Sequence, residues 1–470
     1  MTPVAEDASV TQLELFFDLV IVFAFTMVTD FAAHETTAVN LLRALLILAM
    51  LWWAWIGYSW LGNVIKADEG IARVAMFAAM GAAFIIALTI PESFHDEPGG
   101  WYGPLVFVIA YLTVRLIHLT VFWLASTHDA QLRRQVIRWA AGSLSVASVL
   151  LVVGALSHGT TQLVLWLAAL VWDMGWTFFA GNEWRLYSPS HFAERYGLIV
   201  IIALGESIVS IGVGVAGLPI SWSITVGSLL GLAVAGLLWW AYFDVAALVV
   251  EHAMHRAGGE RRIQIARNCY TFWHFPMIAG IVAMALGLKK VLSYVGGAKG
   301  HSLTDALHGI PLFALYGGVA AYLIALAGFR HYATGKVLVP RLVAAGLLVA
   351  LLPLASMVPA RLDGARAGRA GHAVRGAAGA HRVRGGALRP AAGSDPARAG
   401  LVLQRHLCES VLVDLLCGVG SCCGRVGFVD ESDRGSVRAV GAARAGPGVR
   451  VGIVGGAGAQ ERVDAGRTCW

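Results

Sequence analysis

The sequence predicts an all-α fold: a polytopic transmembrane helical bundle. Hydrophobic residues make up 57% of the 470-residue chain and charged residues only 14%, with a mean hydropathy of +0.69, whereas soluble domains keep about a quarter of their residues charged. The apolar residues gather into runs close to 20 long, the length of helix that crosses a hydrocarbon core about 30 Å thick. Short loops join the runs, and their Lys and Arg fall mostly on alternate loops, as a topology obeying the positive-inside rule requires.

Eleven runs meet the length rule within 1–360, at roughly 13–32, 41–62, 72–90, 104–125, 136–156, 161–179, 196–216, 222–248, 268–288, 310–330 and 341–358. The first carries Glu14 and Asp18, four apart and so on one helical face. The second carries Leu51-Trp52-Trp53-Ala54-Trp55, and the fourth Arg115 and His118. The sixth holds Asp173, the seventh Glu206, the eighth Asp244 and the ninth His274, two residues before Pro276. Loops after even-numbered runs contain 14 Lys and Arg, and those after odd-numbered runs only four. This predicts a cytoplasmic N-terminus. Glu6 and Asp7 at the start give no basic region, so the start reads without a cleavable signal.

Leu51-Trp52-Trp53-Ala54-Trp55 reappears as Leu238-Trp239-Trp240-Ala241-Tyr242, six runs later. Six is even, so the pattern predicts two parallel six-helix repeats, 1–180 and 181–360, with 12 spans expected and 11 found. An aromatic belt at the membrane interface gives the same tryptophans without a repeat. Where the twelfth span is due, the composition changes. Residues 361–470 hold 16 Arg, 22 Gly, no Lys and five of the six cysteines, with no sustained apolar period. They read as a disordered Arg/Gly/Ala-rich tail, of the kind GC-rich coding DNA yields out of frame. Net charge supports the division, since residues 1–360 sum to −1 and the tail to +7. The basic pI of 9.1 therefore belongs to the tail and points to no nucleic-acid partner. Cys269 is alone in the body, which rules out a disulfide scaffold.

Ionisable side chains at bilayer depth are costly, so each is a functional candidate. Two acids on one face, Glu14 and Asp18, must share a proton, a cation or an arginine. Glu14 alone also reads as a helix cap. Arg115 keeps its charge and needs a carboxylate, from Asp18, Asp173, Glu206 or Asp244. His118 shares its face, and His274 adds a second intramembrane imidazole. His191 and Glu194, three apart, suit a metal, a proton relay or a plain hydrogen-bonded pair. Glu206 sits beside Gly205, with Gly212 and Gly214 following, which fits either a ligand site or a packing seam.

Two stretches, Thr11-Gln12-Leu13-Glu14-Leu15-Phe16-Phe17-Asp18-Leu19-Val20 and His191 to Ser207, resemble the hallmark motifs of the bacterial low temperature requirement A (LtrA) family, in the right order and across residues about 10–358. The matching positions are Glu14, Phe17, Asp18, His191, Glu194, Arg195, Gly197, Gly205, Glu206 and Ser207. The resemblance implies a polytopic inner-membrane protein linked by name to growth in the cold, and brings no biochemical activity with it. Members end in a last apolar helix and a short charged tail, so this chain departs from the pattern after Pro359, consistent with a shift of frame. From the residues, the expected function is a secondary transporter-like protein, proton-coupled, moving a small molecule or ion and partnered by the lipid bilayer. The alternatives are a structural or stress-adaptation protein and a membrane-embedded enzyme built on His and carboxylates. The enzyme reading is the weaker, because no metal-ligand spacing is strong and no Walker-type loop occurs. No metal or cofactor is expected.

Overall fold

In the computed structural model, residues 8–179, 185–296 and 309–356 are described. The expected tail, its shift of frame and the twelfth span lie outside them. The described residues form helices α1 (Gln12–His34), α2 (Ala38–Gly62), α3 (Gly70–Thr89), α4 (Gly103–Ala125), α5 (Ala130–Ala155), α6 (Gly159–Phe179), α7 (Pro189–Gly214), α8 (Trp222–Arg256), α9 (Gly259–Val295), α10 (Ile310–Thr334) and α11 (Val339–Ala355), and no strand. Nine are long and apolar enough to cross a membrane by length and composition; α11 is a shorter apolar helix of 17 residues. An all-helical polytopic bundle is therefore what this chain forms. Its environment is a lipid bilayer.

Five of these helices begin at a side-chain cap that the sequence supplies. Thr11, Thr37, Asp129, Ser188 and Ser221 accept backbone N–H groups of the first turns of α1, α2, α5, α7 and α8, which satisfies donors that a helix start leaves orphaned. Proline stands in the first turn of α4, α7, α10 and α11, where its missing N–H costs nothing. Gly335, at φ 72°, closes α10 in the left-handed conformation.

The predicted spans coincide with these helices, overrunning the ends of α3, α5 and α7 by one or two residues, but several helices run further. α8 continues to Arg256 and α9 starts at Gly259, so both extend past their apolar cores into polar turns. Hydropathy measures what lipid tolerates, and a helix need not stop where lipid stops. Three helices also contain a π turn, at Ala140–Leu144 in α5, Tyr242–Ala246 in α8 and Ala266–Trp273 in α9.

Helix α2 is the most enclosed span, and α1, α4, α6, α7 and α9 all pack on it. Its Trp52, Trp53, Trp55 and Trp60 are at most 5% exposed, so they are core residues rather than an interfacial belt. Trp240, the sequence counterpart of Trp53, is 54% exposed. Helix α1 shows the inside-out pattern of a lipid-facing helix, with Phe16 and Leu19 outward and Glu14, Phe17, Asp18 and Ile21 inward. Helices α9 and α10 approach closely at Gly280 and Gly318, where a Cβ on either glycine would lie 2.6 Å from the other's carbonyl oxygen.

Candidate functional site

The inward face of α1 meets α7 through a network of four ionisable residues. Arg195 donates from Nη2 to Asp18 Oδ1 at 2.8 Å, and from Nη1 to Glu14 Oε1 at 3.0 Å and to the Tyr58 carbonyl at 3.1 Å. Trp55 Nε1 donates to the same Asp18 oxygen at 2.7 Å. His191, one helical turn before Arg195, places Nε2 3.1 Å from Glu14 Oε2. That oxygen also accepts the Thr11 N–H and hydroxyl, at 2.9 and 3.0 Å. Glu14 is thus both the N3 residue of a capping box and an ion-pair partner.

All four side chains are at most 2% exposed. Space for them is made by Gly62, whose Cβ, were there one, would run into the Glu14 carboxylate and lie 3.0 Å from Arg195 Nη1. Phe17 and Tyr58 cover the flank, with ring centroids 4.7 Å apart. Asp18 Oδ2 and His191 Nδ1 are buried without a hydrogen-bond partner. Two carboxylates face a single permanent cation, so with a neutral imidazole the network carries one negative charge. A single proton brings it to neutrality.

A second ion pair joins α4 to α6. Arg115 Nη2 donates to Asp173 Oδ1 at 3.0 Å, and Ser143, presented by the π turn of α5, donates to the same oxygen. Among the four acids the sequence offered to Arg115, Asp173 is the one that takes it. His118, a turn along α4 and 3% exposed, rests against Gly57 of α2, whose added Cβ would be 3.0 Å from the ring.

Glu206 is a third buried acid, 1% exposed. Hydroxyls serve both its oxygens: Thr26 of α1 donates to Oε2, and Ser210 donates to Oε1 at 3.0 Å. Among the described residues no cation lies within ion-pair distance of it, although Lys289 of α9 pairs with Asp30 one turn beyond Thr26. The neighbouring Gly205 has open space where a Cβ would go, so it makes no close helix contact there; Gly214 does, with a Cβ position 2.8 Å from the Lys289 carbonyl oxygen. Ser207 is fully buried with an unpartnered hydroxyl, and Gly197 faces Phe243.

The remaining candidates separate from these three clusters. His274 is fully paired, with Nδ1 3.1 Å from the Cys269 carbonyl and Nε2 2.8 Å from the Tyr242 hydroxyl. The first of these uses a carbonyl within the α9 π turn, and the ring is enclosed by Tyr196, Tyr270 and Phe329. Asp244 is exposed. Glu194 turns away from His191 and accepts the Val10 N–H at 3.0 Å. Among the described residues no group of three or more His, Cys, Asp or Glu is placed to hold a metal.

The sequence offered Asp18 as one of four acids for Arg115; the structure pairs Asp18 with Arg195 instead. By hydropathy Arg195 reads as a loop charge, because the apolar run of α7 starts only at Tyr196. The signal that would have found it is the spacing of His191 and Arg195, four apart and hence on one face, matching Glu14 and Asp18 on α1.

Comparison with known proteins agrees with these stretches. The family model described as "Bacterial low temperature requirement A protein (LtrA)" matches residues 9–368. An uncharacterized protein, RA0937, of Rhizobium meliloti (strain 1021) is 27% identical over 329 residues, covering 65% of this chain and 75% of that protein. With the match running from the cap of α1 through every described helix, this chain belongs to the LtrA family of bacterial membrane proteins.

Proposed function

We propose that the protein is a proton-coupled secondary carrier of the bacterial inner membrane, and that the Glu14–Asp18–His191–Arg195 network is its coupling site. The observation that carries this reading is the charge imbalance of a sealed network with two unpartnered atoms, Asp18 Oδ2 and His191 Nδ1, able to take the balancing proton. In a low-dielectric interior an unbalanced charge is costly, so losing the proton favours admission of water and separation of α1 from α7. Glu206 lies further along the same α1–α7 contact and supplies a second carboxylate held by hydroxyls alone, which a proton neutralises without breaking an ion pair.

The dense pairing around Arg195 favours a second reading, in which the acids only lock α1 to α7. The test is proton uptake into pyranine-loaded vesicles containing the purified protein, under an inside-negative potential and with pooled small metabolites outside. Asp18→Asn and Glu206→Gln keep shape and hydrogen bonding but remove the titration. Folded variants that lose uptake support the carrier. Uptake that is unchanged in both, or absent from the unaltered protein, overturns it. Loss of folding in both supports the lock.

A further inference from the structure

We infer that Arg330 and Arg341, on adjoining ends of α10 and α11, bind the phosphate headgroup of an anionic phospholipid. Three arginines elsewhere in the bundle meet an acid: Arg115 takes Asp173, Arg185 takes Asp129, and Arg195 takes Glu14 and Asp18. Among the described residues no carboxylate lies within ion-pair distance of Arg330 or Arg341. The charges that act on Arg341 are Arg330, of like sign, and Asp244, which is exposed and closes no ion pair with it. Two neighbouring guanidinium groups repel, and an anion between them turns that repulsion into attraction.

Each group is presented for this role. Arg341 donates from Nη2 to the Ala241 carbonyl of α8 at 2.8 Å, which holds the guanidinium between α11 and α8 without neutralising it. Arg330 makes no side-chain hydrogen bond among the described residues, and its Nε is buried, so its two terminal nitrogens carry the open donors. A fork of N–H donors matches two oxygens of a phosphodiester. Arg330 therefore supplies the hydrogen bonds, and Arg341 a positive charge fixed in place.

Depth and surroundings favour a lipid over a dissolved anion. Arg330 stands four residues before the end of α10, about 6 Å along the axis, and Arg341 lies in the first turn of α11. Such positions fall where the hydrocarbon core gives way to headgroups. Helix α11 packs chiefly on α10, and beside the two anchor points of Arg341 in the sequence Val339, Leu342 and Val343 of α11 and Trp240 of α8 are exposed. These apolar side chains suit acyl chains running down from a bound headgroup. The loop charges assign this end of the bundle to the cytoplasm, and basic clefts between helices on that side are a general seat for acidic lipids.

Binding is read from thermal unfolding of the purified full chain in a neutral detergent, with phosphatidylglycerol, phosphatidylcholine or inorganic phosphate added. A ligand that binds only the folded state raises the melting temperature as its concentration passes Kd. Phosphatidylglycerol should give a saturable rise that the other two do not. Arg330→Gln and Arg341→Gln should each weaken the apparent affinity roughly fivefold, the size of one basic contact to an acidic headgroup. Arg134→Gln, which removes an exposed charge from α5, should leave it unchanged. Equal melting temperatures in the two lipids overturn the inference, as does an affinity unchanged in both site variants. A rise with inorganic phosphate overturns it in favour of a free anion, and an equal loss in Arg134→Gln overturns it in favour of diffuse surface charge. Arg341→Gln also gives up the Ala241 bond; if it fails to fold, Arg330→Gln, which breaks no side-chain hydrogen bond among the described residues, decides.

Discussion

Arg195 donates to three oxygens at once, on Glu14, Asp18 and Tyr58, and only a planar, forked cation reaches all of them from one side chain. Removing it strands two buried acids, and breaking a buried pair of this kind costs about 3–5 kcal/mol. Arg195→Leu should therefore fail to accumulate, whereas Arg195→Leu combined with Asp18→Leu and Glu14→Leu should recover part of the loss, both measured as monodisperse protein after detergent extraction. Gly62→Val tests the same network from its other side, because a larger side chain must displace the Glu14 carboxylate. It should lower the melting temperature by as much as Glu14→Gln, and the two together should be less than additive. Glu14, Asp18 and Glu206 were legible as candidates because a charge inside an apolar run stands out, and His191 because it lies three residues from Glu194. Their partners were not, because which helix lies beside which is a tertiary fact that periodicity does not encode. Arg195 shows this most clearly: it looks like a loop residue to a hydropathy scan and is fully buried by protein.

Hydropathy located the apolar core of each helix and missed the ends of α5, α8 and α9, where polar turns continue the helix beyond it. The π turns had no sequence signature at all. They place Ser143 on Asp173 and put the Cys269 carbonyl within reach of His274, so two of the buried polar contacts depend on features that composition does not reveal. Between α9 and α10 the seam is glycine, with Gly280 against Gly318 and Gly287 against Leu315. Because lipid supplies no hydrophobic drive between helices, close backbone approach is a main source of their attraction. Gly318→Leu should separate α10 from α9, seen as a lower melting temperature. Gly317→Leu, one residue away with open space around it, is the matched control and should change little.

For the whole molecule, the loop-charge asymmetry fixes an expected orientation, and reporter fusions test it. An alkaline phosphatase fused after His158, between α5 and α6, should be active, and one fused after Thr127, between α4 and α5, inactive; the opposite pattern would invert the protein and place the network's Thr11 end outside. The network also spans the chain in time. Glu14 and Arg195 are 181 residues apart, so at a synthesis rate of about 5–20 residues per second the guanidinium follows its carboxylate by roughly 10 to 40 s. Throughout that interval α1 exists with two acids on its inward face and no cation to meet them. The Thr11 cap can serve Glu14 from the start, since both lie in the same turn, but Asp18 has no such local donor. Newborn α1 must therefore wait protonated, or sheltered by the insertion machinery, until α7 is made, and a ribosome that stalls before Arg195 leaves behind a helix that the bilayer cannot comfortably keep.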